Sequence, residues 1–201
     1  MKNKIFKYIV LLLLFPLSLS ITTSAYANVN DLKNNFTKIF FQSSLEYMEA
    51  QAYLLEALEM NDEASKTRKS IDFVKNEKKK EGKRLTNAFN TVSENSEAIE
   101  GALTKEAANS AEAKKLYAKA LPHTVKGVIG SVKLPPEAKA LLDALKKDKM
   151  AALKMGSFLK VLPKIPEYVQ NATNVGKLIV SGAKSRDVEG AADATSAMGD
   201  L

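Results

Sequence analysis

The segment from about Asp31 to Met60 constrains the fold more than any other, because it is apolar on two sides of a helix. Leu32, Phe36, Ile39, Phe40, Tyr47, Leu54 and Leu58 recur at the i, i+3, i+4, i+7 spacing of a helical face. A second row runs beside it: Phe41, Leu45, Met48, Ala52 and Leu55. A helix with two apolar sides is stable in water only when other helices surround it. Half of the aromatic residues beyond position 27 (Phe36, Phe40, Phe41, Tyr47 and Tyr53) fall in this one element. The predicted architecture is therefore all-α: a single-domain bundle of about five to six helices around a largely buried first helix.

The remaining sequence supports that reading. No stretch alternates apolar and polar residues over a strand length, and Ala, Leu, Lys and Glu, all strong helix formers, dominate. Asn30 is the expected cap of the first helix, with Asp31 favoured by the dipole. A second helix is expected from Asn61 to about Ser93, with a solvated charged stretch from Lys75 to Arg84 in its middle. Ser96 and Ser110 are expected to cap two shorter helices, the second breaking at Pro122. Gly127 and Gly130 either let two helices approach closely or end one. Beyond Pro135-Pro136 a helix carrying Leu141, Leu145, Met150, Leu153 and Leu159 follows, with lysines on its other side. The prolines of Leu162-Pro163-Lys164-Ile165-Pro166 predict a turn, then a last helix from about Glu167 to Lys184. Residues 185–201 read as a weak helix or frayed tail, so the bundle domain is expected to span 28–184.

Residues 1–27 have the three parts of a cleavable signal peptide. Lys2, Lys4 and Lys7 form a basic start, Ile9 to Leu19 an apolar run, and Ala25-Tyr26-Ala27 a small-x-small cleavage site. The expected consequence is cleavage after Ala27, a periplasmic or secreted location, and no transmembrane anchor thereafter.

Composition excludes several chemistries. The 201 residues contain no Cys and one His, which removes disulfides, thiol catalysis, thiolate metal sites and His-rich centres. The formal net charge of +7 includes the leader lysines, so the exported chain is only mildly basic and no nucleic-acid partner is expected. The first helix and the tail are acidic while the middle is basic, a segregation that favours packing them together.

Few side chains point to chemistry. Glu46, Glu49 and Glu56 lie on the apolar first helix, but the Glu-x-x-His pattern of bundle metal centres is missing. They read instead as a narrow wet stripe paired with lysines, and no metal is expected. His123, beside Pro122, is a candidate ligand contact at a helix break. No Gly-x-Ser-x-Gly elbow and no phosphate loop occurs, so neither an enzyme nor a cofactor is expected. The expected function is that of an exported, non-catalytic binding or adaptor protein with a protein partner in the cell envelope. A carrier of an apolar small molecule or lipid is the alternative, with Phe40, Tyr47, His123 and Phe158 as its candidate ligand-binding residues. A secreted membrane-active protein is a further alternative, drawn from the basic amphipathic region from Lys146 to Lys184.

Overall fold

A computed structural model describes residues 28–103 and 110–199. The predicted leader and its cleavage site lie outside the described residues. Among those described, 87% are helical and none belongs to a strand, and they form a single compact body.

The first helix, α1 (Val29–Ala57), is the hub against which α2 (Asn61–Lys75), α3 (Glu81–Leu103), α4 (Ala111–Ser131) and α5 (Leu134–Lys147) pack. Two six-residue helices, α6 (Lys149–Lys154) and α7 (Gly156–Val161), and a 3-10 turn lead into α8 (Ile165–Lys184). The short α9 (Ala191–Met198) completes the described chain. Seven helices of eight residues or more replace the five to six expected.

The sequence logic of α1 carries through. Phe36, Phe40, Tyr47, Met48, Leu54 and Leu55 are all buried, drawn from both predicted rows. The cap lies two residues earlier than expected: Asn28 accepts the amide of Asn30 at 3.0 Å, and Asn30 lies inside the helix. At the far end Glu59 takes a positive φ of 61°, and Met60 donates back to the Leu55 carbonyl at 2.8 Å. That is the Schellman closure with a glutamate where glycine is usual. Its effect is to turn the chain sharply into α2.

α4 lies closest to α1, and two glycines permit it. A Cβ on Gly127 would stand 3.0 Å from Tyr47 Cβ, and one on Gly130 would stand 2.9 Å from Ser43 Cβ. Close approach, not helix termination, is therefore their role.

Four boundaries differ from expectation, each for a physical reason. The helix expected over 61–93 is a hairpin of α2 and α3, because the charged stretch offers no apolar side chain to hold a helix. Asn76 turns extended there, and its side chain accepts the Lys78 amide at 3.1 Å. Ser96 opens no helix; it sits buried within α3, with its hydroxyl bonded to the Val92 carbonyl at 2.7 Å. α4 runs through Pro122 unbroken, since Leu121, Thr124, Gly127 and Val128 are buried on either side and outweigh one lost backbone bond. Leu162 and Ile165 precede prolines yet keep helical angles, because both side chains are buried.

The long helix expected through Leu159 is cut at Asp148 and Met155. The Asp148 carboxylate caps α6, accepting the amides of Met150 and Ala151 at 3.0 and 2.9 Å. At the C-terminal end Val188, Ala191, Ala194 and Met198 are buried, and α9 packs on α4 and α8.

Candidate functional site

The four predicted ligand-binding residues do not share a site. Phe40 is fully buried, its ring 5.7 Å from those of Phe36 and Tyr168. Phe158 is buried at the same end and meets Phe36 edge-on at 6.3 Å. Both rings belong to a packed aromatic cluster, which Phe89 extends by stacking on Tyr168 at 5.4 Å. Tyr47 lies further along α1, buried, and donates its hydroxyl to the Ala172 carbonyl at 2.7 Å. Each is occupied with other protein groups.

His123 is half-buried on the far side of α1. Its Nδ1 lies 2.7 Å from Glu46 Oε2, and its ring stacks on Tyr53 at 6.1 Å. Arg68 and Lys119 also lie over the Tyr53 ring, at 5.1 and 5.7 Å. The α1 acids are paired in turn: Glu56 with Arg68 at 2.6 Å and Glu49 with Lys75 at 2.9 Å. The wet stripe of α1 is thus bridged by Arg68 and Lys75 of α2 on one side and by His123 of α4 on the other. This is a structural strap. No group of three or more His, Asp or Glu among the described residues is placed to hold a metal ion.

A buried polar network ties α1 to α2 and α3. Gln51 is fully buried; its amide donates to the Val92 carbonyl at 3.0 Å and to Ser96 Oγ at 3.1 Å. Asn95 donates to Gln51 Oε1 at 3.2 Å and to Thr67 Oγ1 at 2.8 Å. Every member has a partner, so the network fixes the register of three helices and leaves no free group for chemistry.

Two surface features of the described residues bear on binding. The first is a groove of about 380 Å³ between α4 and α9. Ala118, Leu121, Pro122, Val125, Ala194 and Ala197 line it, with Lys126, Glu189 and Asp193 also on its wall. Pro122 has no amide hydrogen, so the carbonyl of Ala118 lacks its helical donor. The groove combines a mostly apolar wall with three charged side chains, Lys126, Glu189 and Asp193. Sequence reading singled out Pro122 and His123 but missed the opposite wall, which exists only because α9 docks. The signal was the spacing of Ala191, Ala194 and Met198 on one helical face.

The second is α6, which buries no side chain and leaves Met150 65% and Leu153 79% exposed among exposed lysines. Among the described residues, no helix is long and apolar enough to cross a membrane.

Comparison with protein-family profiles, with curated proteins and with solved structures finds no match to this chain.

Proposed function

We propose that the chain is an exported, non-catalytic binding protein of the cell envelope that takes an apolar segment of a protein partner in the groove between α4 and α9. The groove beside Pro122 carries this reading: its wall is mostly apolar, and Lys126, Glu189 and Asp193 also line it. A bound peptide brings apolar side chains for that wall and polar backbone groups for the charged residues. The carrier alternative has less support, because Phe40, Tyr47 and Phe158 are engaged with other protein groups.

Photo-crosslinking in intact cells tests the proposal. A photoreactive residue at Ala197, exposed in the groove, is expected to yield one discrete protein adduct. The same probe at Ala192, exposed on the same helix and outside the groove, is expected to yield none. Ala118→Phe, which fills the groove, removes the adduct from Ala197. Equal labelling from both positions, or none from either, sinks the proposal.

A further inference from the structure

The α2–α3 turn and the α6–α7 segment lie at one end of the bundle. Gly82 at the start of α3 sits against α7, where an added Cβ would stand 2.8 Å from Ser157 Oγ. The start of α1 is at the same end: Lys33 pairs with Glu81 at 2.6 Å, and Phe36 meets Phe158 of α7.

This end is cationic and apolar together. The turn exposes Lys78, Lys79, Lys80 and Lys83, and the α6–α7 segment adds exposed Lys149, Lys154 and Lys160. The local acids are largely spent: Glu81 on Lys33, Asp143 on Lys139 and Lys146, and Asp148 on the amides of α6. Glu77 in the turn and Asp31 at the start of α1 are exposed acids of this end, outnumbered by its lysines. Among the lysines stand Met150 and Leu153, three residues apart on α6, and Leu159 on α7.

We propose that this end docks the folded protein onto an anionic lipid bilayer, with Met150 and Leu153 inserted at the headgroup level and the lysines ringed around them. Charge complementarity selects the occupant. The outward cations are lysines, while Arg84 of the same turn points inward, donating to the Val74 carbonyl and covering Phe41. Protein interfaces are depleted in lysine and enriched in arginine and aromatic residues. A diffuse lysine field around inserted aliphatic side chains is the chemistry of a lipid surface. The site is separate from the α4–α9 groove, so the two proposals stand or fall independently.

Co-sedimentation of the chain from Asn28 to Leu201 with vesicles of phosphatidylcholine, alone or with phosphatidylglycerol, tests the docking. Binding is expected only to the phosphatidylglycerol vesicles, weakened by salt, with helical circular dichroism unchanged. Met150→Ser with Leu153→Ser, both solvent-exposed changes that leave the core intact, is expected to weaken binding about tenfold or more. Lys78→Glu with Lys80→Glu is expected to weaken it comparably at low salt. Absence of binding to anionic vesicles, equal binding to both vesicle types, or wild-type binding by both variants overturns the proposal. Loss of the native fold on the vesicles overturns it too.

Discussion

Gly127 and Gly130 decide how near α4 comes to α1, and their substitution separates packing from helix propensity. Gly101, within α3, has open space where a Cβ would go. Gly101→Ala is therefore expected to raise stability by up to about 1 kcal/mol. Gly127→Ala gains the same propensity but drives a methyl to 3.0 Å from the Tyr47 backbone nitrogen, and is expected to lose about 1–3 kcal/mol net. Urea denaturation of the two variants reads the opposite signs. Tyr47 itself supplies a second prediction. Burial holds its hydroxyl well above the ordinary tyrosine range, with the neighbouring Tyr168 adding to the effect, and burial does the same to Tyr168. The unfolded chain therefore loses these protons first as pH rises. Stability is constant below about pH 10 on this account, then falls by about 1.4 kcal/mol per pH unit for each tyrosine. Burial raises Tyr117 in the same direction; urea titrations across the alkaline range should show the combined slope, and Tyr47→Phe should reduce it by one tyrosine's share, about a third. At this scale the burial of α1 was legible from spacing alone, but the role of its aromatics was not. A phenylalanine at a core spacing looks the same whether it lines a cavity or fills one. Only the partners Phe36, Tyr168 and Ala172, distant in sequence, decide between the two.

Pro122 shows an element overriding its own local preference. A mid-helix proline loses one backbone bond, yet α4 buries a face on both sides of it and stays whole. Pro122→Ala is expected to stabilise the protein by about 1–3 kcal/mol, since it restores the bond to Ala118 at an exposed position. The same change removes the pyrrolidine ring from the groove wall and should weaken crosslinking from Ala197. A rise in thermal midpoint with undiminished crosslinking would show that the proline ring is not part of the docking surface. Helix existence was legible along the chain from its composition, and the Ser110 cap was read correctly, its hydroxyl accepting the Ala113 amide at 3.1 Å. Breaks were read poorly. Prolines were overweighted, at Pro122, Pro163 and Pro166, because burial of neighbouring side chains outweighs the local steric penalty. Charge runs were underweighted, at Asn76 and Asp148, because a helix without an apolar face has nothing to dock it.

For the whole molecule, processing after Ala27 is expected, and amino-terminal sequencing of protein recovered from the envelope should begin at Asn28. A chain that begins at Met1 would remove the basis for an exported location. The fold class followed from one two-sided helix, whereas the overall shape depended on the docking of α9 and on the juxtaposition of the α2–α3 turn with α7, which no local pattern encodes. One arrangement has a temporal consequence. The hub is made first and some of its contacts last: Ser44 meets Tyr168 across 124 positions, and Tyr47 meets Ala172 across 125. A nascent polypeptide leaving a ribosome therefore exposes Phe40 and its neighbours long before the segments that cover them exist. Such an unfinished chain is sticky and loosely formed for most of its synthesis, a natural client for chaperones, and closure comes only when α8 arrives.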